Sequence, residues 1–361
     1  MFSPFPYDKI SDSKCFFGRE KELKELEKVV KYSNNILIHS KRRMGKSSLI
    51  SNFIENHKKQ YICIYVDIFE MTSKEDFAYL LLKALSNSQE SDLKSTIKTL
   101  TSLFKRVRVE PTIDPTTLKY SIKPVIATLS FEQMMEDFFN SLNELSKTKQ
   151  IILAIDEFQQ IATIKDIKLD AYLRSYIQNR ENISYVFLGS KRHLLTSLFE
   201  YKAPLYELAN HFELQALDTK NIFDYSKDYL DISEELVGYI FEKANGETKL
   251  IQNILHLLYV YRVENIDKEK IEEILSEIIA SKEASFRIIF DTLNNNQKIA
   301  LKIVGKYKNG FFVNDILNKY NIKKQTLQSS VKTLFDKELI DKESDKYFIP
   351  DRTLELWIES L

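Results

Sequence analysis

The chain is short of the residues that cross-link proteins or interrupt their secondary structure. Its 361 residues include two cysteines, Cys15 and Cys63, and seven each of glycine and proline. Two cysteines without CxxC spacing exclude a disulfide framework and a zinc module, and they indicate a reducing compartment. The scarcity of glycine and proline excludes collagen-like segments and long flexible linkers. A chain of this length can bury enough surface to fold without such supports.

Net charge and long apolar runs are also missing. Lys plus Arg and Asp plus Glu each number 52, so any preference for a charged partner must be local. The most apolar stretch of helical length, residues 250–261, is too short to span a bilayer and contains Gln252, Asn253 and His256. Residues 1–14 lack the pattern of a signal peptide. These absences predict a cytoplasmic protein with no membrane partner.

Short apolar runs alternate with helical patterns in the first two thirds of the chain. Continuous runs are typical of central strands in a parallel sheet that is covered on both faces. The β-then-α order predicts an open α/β sheet with right-handed crossovers. The predicted strands are 36–39, 61–66, 151–155 and 185–188, with a fifth that includes 212–214.

Other segments depart from this rhythm. Residues 105–110 and 118–123 alternate like strands and predict a hairpin that projects from the sheet. Beyond residue 218 the pattern becomes helical, and the chain ends with three helical patterns and two short strands, which is typical of a winged helix-turn-helix. The predicted lid helices are 221–230, 234–244, 249–262 and 268–280, and the later ones are 298–307, 313–320 and 323–337, followed by a wing with its turn at 341–345. The predicted domains are 1–215, 216–288 and 289–361.

The segment 40–47, S-K-R-R-M-G-K-S, lies between the first predicted strand and a helix. It nearly matches the P-loop pattern G-x-x-x-x-G-K-[ST], with Ser40 in place of the first glycine. Gly45 permits the backbone path that turns amides toward phosphates, Lys46 reaches the β- and γ-phosphates, and Ser47 holds Mg²⁺. The alternative is a plain helix start with basic residues. The predicted loop contacts to nucleotide are Ser40, Lys41, Arg42, Arg43, Met44, Gly45, Lys46, Ser47 and Ser48.

A second motif, I-I-L-A-I-D-E, ends the strand at 151–155. At such a strand end Asp156 is expected to coordinate Mg²⁺, and Glu157 to act as general base toward water. The alternative is a strand that ends in exposed acids. Ser190 ends another strand and is the candidate sensor of the γ-phosphate, so the predicted catalytic residues are Lys46, Glu157 and Ser190. Three arginines are alternatives for an arginine finger, and the sequence does not select among them: Arg174, Arg180 and Arg192.

Several motifs together resemble one known family. They are F-G-R-E at 17–20, R-R-M-G-K-S-S-L at 42–49, I-D-E at 155–157, L-G-S at 188–190, N-G-E-T-K-L-I-Q at 245–252 and Y-F-I-P-D-R-T-L-E-L-W at 347–357. On these motifs nearly the whole chain resembles the archaeal-type ATPases of the STAND branch, relatives of the AAA+ proteins. Thr248 and Arg352 stand where that family usually has proline.

The resemblance implies a P-loop NTPase domain, a helical lid and a winged helix that together act as a nucleotide-driven switch. It implies ATP and Mg²⁺ as ligands, and it places Gly18 and Arg19 near the adenine or a domain junction. Arg19 is alternatively a solvated charge at a helix start. The resemblance leaves the biological target open.

Some residues of the predicted winged helix favour DNA binding and others oppose it. Residues 294–361 hold twelve basic and nine acidic side chains, a net charge of plus three. The recognition-helix candidate offers Lys323, Lys324, Gln325 and Lys332 to phosphates and bases, but the wing carries acids. Duplex DNA, a protein partner and self-association therefore all stay open. The leading hypothesis is a Mg²⁺-dependent ATPase, and the alternatives are a non-hydrolysing nucleotide sensor and a DNA-binding regulator.

Overall fold

The computed structural model describes residues 3–11, 13–88, 102–113, 120–126, 129–178, 181–190, 192–343 and 345–361. The chain divides into two compact units. One, here called the sheet unit, comprises residues 10–41 and 45–215. The other, here called the helical unit, comprises residues 1–9, 42–44 and 216–361.

Five parallel strands form the central sheet of the described part of the sheet unit. They are β1 (Ile36–His39), β2 (Ile62–Asp67), β5 (Ile151–Asp156), β6 (Ile183–Gly189) and β7 (Asn210–Glu213). Their order across the sheet is β2-β5-β6-β1-β7, and every neighbouring pair is parallel. The predicted α/β class and its parallel sheet are confirmed. The ends of β1 match the prediction, and those of the other strands differ from it by at most two residues.

Helices cover both faces of this sheet. They are α1 (Glu20–Lys31), α2 (Lys46–His57), α3 (Lys74–Asn87), α4 (Phe131–Ser146), α5 (Leu169–Ile177) and α6 (Arg192–Phe199), and a 3₁₀ helix spans Phe158–Thr163. All six residues of β5 are buried. Ile151, Leu153 and Ile155 join the core under α3 and α4, whereas Ile152 and Ala154 join the core under α1 and α2. This two-sided burial explains why the strand is a continuous apolar run.

The predicted hairpin is present as an antiparallel pair, β3 (Arg108–Ile113) and β4 (Tyr120–Val125). Each strand begins and ends two or three residues later than the alternation indicated. Predicted strand residues 118 and 119 lie outside the described residues. Asp137 of α4 fixes the base of the hairpin, since its buried carboxylate accepts hydrogen bonds from the backbone N–H groups of Arg106 and Val107 at 2.7 and 3.1 Å.

The helical unit contains the predicted run of helices. They are α7 (Thr219–Ser226), α8 (Glu234–Lys243), α9 (Thr248–Val260), α10 (Lys268–Asp291), α11 (Asn295–Tyr307), α12 (Asn314–Lys319), α13 (Lys324–Asp336) and α14 (Arg352–Glu359). The strands β8 (Asp341–Glu343) and β9 (Lys346–Phe348) form the wing. The predicted C-terminal winged helix is confirmed.

Three details of this unit differ from the sequence interpretation. The helix α10 runs to Asp291 because Phe286, in its second half, is buried in the winged-helix core. The predicted boundary at 288–289 therefore falls within a helix, and the three-domain division stays a prediction. The predicted turn at 341–345 is shorter, because Asp341 to Glu343 pair with β9. Helix α14 was not predicted as an element.

Among the helices of the described residues, none combines the length and the apolar character needed to cross a bilayer.

Candidate active site

The loop at residues 40–47, here called the phosphate loop, connects β1 to α2. Gly45 has φ +92°, a left-handed conformation that disfavours any residue with a Cβ, and α2 begins at the next residue. Lys46 is 6% exposed, and its Nζ donates to Ser40 Oγ at 3.0 Å and to the Lys41 carbonyl at 3.3 Å. Ser40, where the pattern has glycine, thus supplies one of the acceptors of the buried ammonium.

The next residue links the loop to the neighbouring strand ends. Ser47 Oγ donates to Asp156 Oδ2 at 2.8 Å, and the hydroxyl of Tyr65 donates to the same oxygen at 2.8 Å. Burial raises the pKa of Tyr65, and the negative charge of Asp156 raises it further. The sequence interpretation did not include Tyr65.

The oxygen atoms of this cluster fit a magnesium ion. Mg²⁺ prefers hard oxygen ligands, and it commonly takes one or two protein ligands together with phosphate oxygens and waters. Ser47 and Asp156 supply a hydroxyl and a carboxylate 2.8 Å apart. Asp67 lies opposite Asp156 in the β2–β5 register. Burial raises the pKa of Asp67, and the charges of Asp156 and Glu157 add to that rise, so a cation is favoured beside these carboxylates.

A metal ion can also be held by protein side chains alone. Within the described ranges, no group of three or more His, Cys, Asp or Glu side chains is arranged to hold an ion. Ser47 and Asp156 would supply part of the ligands of a magnesium ion, and phosphate oxygens and waters the rest.

Glu157 follows β5 in a left-handed conformation, φ +55°, which turns the chain sharply into the 3₁₀ helix. Its N–H donates to Asp156 Oδ1 at 2.9 Å. Ser190 Oγ donates to Glu157 Oε2 at 3.4 Å, and Gln159 Nε2 donates to the same oxygen. The strand order explains why Ser190 and Glu157 lie close together, because β6 lies next to β5 and brings Ser190 to the same edge of the sheet.

The middle of the phosphate loop has partners in the helical unit, to which residues 42–44 belong. Arg43 Nη1 lies 2.7 Å from Asp351 Oδ1 and 3.6 Å from Glu247 Oε1. Arg42 forms a more exposed ion pair with Glu338 at 2.8 Å. The Arg43 carbonyl accepts a hydrogen bond from the N–H of Lys249 at 3.2 Å. Both arginine side chains, predicted as nucleotide contacts, thus have carboxylate partners.

Burial and ion pairing have opposite effects on the pKa values of the carboxylates near Arg43. Burial alone would raise the pKa of Asp351, but the adjacent Arg43 guanidinium outweighs it and lowers that pKa to about 2. Burial raises the pKa of Glu247 despite the opposing charge of Arg43. Burial lowers the pKa of Lys282, which faces the same group. Asp351 is therefore the carboxylate that holds Arg43 most strongly.

Ser48 and Arg19, two further predicted contacts, have partners within the protein. Ser48 Oγ accepts from the N–H of Ser11 at 3.3 Å. Gly18 has φ +69°, and the buried Arg19 pairs with Glu22 at 2.7 Å and donates to the Gln215 carbonyl at 2.9 Å. Arg19 is thus not a solvated charge, and its role toward nucleotide stays a prediction.

Of the arginine-finger alternatives, Arg174 donates to the Pro204 carbonyl. Arg192 begins α6, and Arg180 lies outside the described residues. The identity of an arginine finger stays open.

The structure adds residues that the sequence interpretation missed. Tyr65 and Asp67 could have been found from the rule that parallel strand ends share one edge, since both close β2. Gln159 carries no comparable signal, and Asp351 lies in the C-terminal motif at 347–357 without any sign there of its partner Arg43. Their partners are defined by tertiary packing, with 308 positions separating Arg43 from Asp351 along the sequence.

The chain is similar to known proteins in sequence. Residues 16–254 match the model of a family described as an ATPase domain predominantly from Archaea. Residues 284–360 match the model of a probable winged helix domain. An uncharacterized ATP-binding protein of Methanocaldococcus jannaschii is 25% identical over 319 residues, which are 82% of this chain and 85% of that protein.

The fold is similar to solved structures as well. The Walker-type ATPase of Pyrococcus abyssi has a TM-score of 0.66 at 19% identity, over 98% of this chain and 99% of that chain. ORC1 of Aeropyrum pernix, solved in complex with DNA, has a TM-score of 0.53 at 13% identity, over 99% of this chain and 95% of that chain. These likenesses support the fold.

The Asp351 ion pair predicts a pH-dependent stability. Because the folded pKa of Asp351 is lowered to about 2 from 3.8, its contribution is present above pH 3.8 and is lost as pH falls toward 2. We expect Asp351→Asn to lower the free energy of unfolding by about 2 kcal/mol at pH 7, by the conversion of a pKa shift into energy. Urea unfolding should show that the difference in free energy of unfolding between wild type and Asp351→Asn becomes smaller from pH 7 to pH 3.

Asp267→Asn is the matched control for this substitution. Asp267 caps the exposed N-terminus of α10, as Asp351 caps α14, and asparagine is an equally good cap. The control should unfold like the wild type at each pH. Equal stability of Asp351→Asn and wild type at pH 7 would refute the assigned role of the ion pair.

Proposed function

Since this chain belongs to the archaeal ATPase family, an ATP-binding family, we propose that it hydrolyses ATP with Mg²⁺ and acts as a nucleotide-driven conformational switch. The observation that carries the proposal is the 2.8 Å hydrogen bond from Ser47 Oγ to Asp156 Oδ2. It joins the phosphate loop to the acidic strand end, which is the pairing that a metal–triphosphate complex requires.

The loop residues bind and orient the triphosphate. The start of α2 offers the positive end of its dipole, and Lys46 would exchange acceptors such as the Ser40 hydroxyl and the Lys41 carbonyl for phosphate oxygens. Ser47 and Asp156 would hold Mg²⁺. When bound, the metal ion neutralises charge on the β- and γ-phosphate oxygens.

Glu157 is the general base of the proposed reaction. Its carboxylate accepts a proton from the water that attacks the terminal phosphorus, and the products are ADP and inorganic phosphate. Ser190, whose hydroxyl lies 3.4 Å from Glu157 Oε2, is close enough to contact the γ-phosphate or that water. The alternative function, nucleotide binding without turnover, uses the same loop and does not need Glu157.

Two substitutions separate binding from turnover. We expect Lys46→Ala to abolish ATP binding, because the buried ammonium is the loop's main charge toward phosphate. Glu157→Gln should keep ATP affinity and lose activity by about 10²–10⁴-fold, the contribution of a general base. Lys58→Ala, which removes a partly exposed lysine just after α2, is the control and should match wild type. Binding follows from the melting shift with ATP and Mg²⁺, and turnover from phosphate release.

The outcomes distinguish the candidate functions. Equal hydrolysis by Glu157→Gln and wild type would refute the catalytic role of Glu157. Tight ATP binding by the wild type without turnover above buffer would favour the non-hydrolysing sensor.

The Arg43–Asp351 ion pair supports the proposed switch. Arg43 belongs to the phosphate loop in sequence, and Asp351 caps the helix that ends the winged-helix domain. Loop rearrangement around a triphosphate would change the position of Arg43 and leave the partly buried Asp351 carboxylate without its cation. Loss of one partner from a partly desolvated ion pair is costly, so the winged helix would respond.

Hydrogen exchange tests this coupling. We expect ATP with Mg²⁺ to change the exchange rate of the backbone amides of Thr353 and Leu354, which donate to Asp351 Oδ1. Asp351→Asn should abolish the nucleotide dependence. Glu338→Gln, which breaks the exposed pair with Arg42, should retain it. Identical exchange in α14 with and without nucleotide would argue against the switch.

Contact with DNA is a second candidate role of the winged helix. The side chains of Lys323, Lys324, Gln325, Gln328 and Lys332 are all exposed along α13. The similarity to ORC1, whose structure contains DNA, makes this contact worth testing. The exposed Asp345 in the wing opposes it, and a protein partner or self-association is the alternative.

A salt titration on duplex DNA separates these roles. If α13 binds phosphates, log affinity should fall linearly with log salt concentration, and Lys324→Ala should reduce the slope by about one unit. Lys270→Ala, an exposed lysine of α10, is the control. Affinity that is independent of salt would contradict DNA binding.

A further inference from the structure

We infer that Gln159 is a positioning residue that fixes the Glu157 carboxylate for attack by water. The inference rests on the proposed function, since it assigns a role relative to the general base. Gln159 lies two residues beyond Glu157 in the 3₁₀ helix and is fully buried. Its amide Nε2 donates a hydrogen bond to Glu157 Oε2.

Among the residues that the structure describes, the two side-chain hydrogen bonds to the Glu157 carboxylate fall on one oxygen. Gln159 Nε2 and Ser190 Oγ approach Glu157 Oε2 from the 3₁₀ helix and from the end of β6, respectively. Two donors on Oε2 fix the plane of the carboxylate and leave Oε1 for the water. A carboxylate held in one orientation reacts faster than one that rotates, because its geometry needs no adjustment during proton transfer.

Gly189 provides the space that Gln159 occupies. A Cβ at position 189 would lie 2.2 Å from Gln159 Oε1 and 2.7 Å from Leu195 Cδ1. Real side-chain carbons do not approach so closely, and position 189 belongs to a regular strand. Glycine is therefore needed here for close approach and not for an unusual backbone angle.

The other end of the amide shows that its burial has a cost. Gln159 Oε1 is buried and has no hydrogen-bond partner within the described part of the chain. Leaving a buried acceptor unpaired is unfavourable, and a methionine of similar length would avoid that penalty. The bond to Glu157 is the feature of this site that requires an amide.

Gln159→Met tests the inference, because it keeps the length of the side chain and removes the donor. We expect kcat for ATP hydrolysis to fall about 10- to 100-fold, part of the ~10²–10⁴-fold that a general base supplies. The KM for ATP and the melting shift on ATP binding should stay within about twofold of wild type, since the phosphate loop is untouched. Gln160→Met, at the partly exposed neighbouring position, is the matched control and should keep full turnover.

A second variant and a double variant separate positioning from stability. Gln159→Asn keeps the amide but withdraws it by one methylene group, so it should show the same fall in kcat. In a Glu157→Gln background, Gln159→Met should have no further effect on turnover, because it acts through Glu157. A crystal structure of Gln159→Met should show the Glu157 carboxylate in more than one orientation.

The failures of the two proposals are distinguishable. If Gln159→Met and Gln159→Asn turn over like wild type while Glu157→Gln is inactive, the positioning role is wrong and the ATPase proposal stands. If Gln159→Met lowers turnover equally in both backgrounds, the role is structural and the inference fails. A wild type without turnover overturns both proposals.

Discussion

The hydrogen bond between the Ser47 hydroxyl and the Asp156 carboxylate is the interaction on which the rest of the site depends. Parallel strands end at one edge of their sheet, so the residues after β1, β2, β5 and β6 converge there. The phosphate loop brings a hydroxyl to this edge, β5 brings two carboxylates and β6 brings Ser190. Negative charge accumulates at this edge as a result. The pKa of Asp67 is raised mainly by burial and further by the charges of Asp156 and Glu157. Such an edge suits a cation and the anions that accompany it.

The sequence was sufficient for the parts of this fold that follow local rules. Continuous apolar runs located four of the five central strands, and the predicted segment 212–214 overlaps the fifth, β7. The motifs at 40–47 and 151–157 named Lys46, Ser47, Asp156 and Glu157, whose roles toward nucleotide stay predictions. Tertiary contacts could not be predicted from the sequence. Nothing local marks Gln159 as the partner of Glu157, or indicates that α10 continues because Phe286 is buried against another group of helices. Residues 341–345 were predicted as a turn because they are polar. The strands of an exposed two-stranded ribbon need no apolar pattern, so β8 had no signal in the sequence.

The two departures from the usual family pattern have a common physical description. Thr248 is the first residue of α9, and Arg352 is the first residue of α14. Proline is favoured at the first position of a helix, where its missing N–H is not needed within the helix. Arg352 instead uses its N–H toward Glu247 Oε2 at 3.3 Å and its Nε toward the Lys243 carbonyl at 2.9 Å. Helix α14 thereby gains contacts that proline cannot make.

Ser40 has a consequence for how tightly an anion is held. Its hydroxyl and the Lys41 carbonyl already solvate the Lys46 ammonium inside the protein. Under the proposed function, phosphate would replace these hydrogen bonds with bonds to a charged partner, so the affinity for nucleotide would report only the difference between the two sets. The lysine is already held in place, so contact with phosphate would cost little side-chain entropy. The partners of the lysine inside the protein would thus offset part of the gain on binding, which would ease release of the nucleotide.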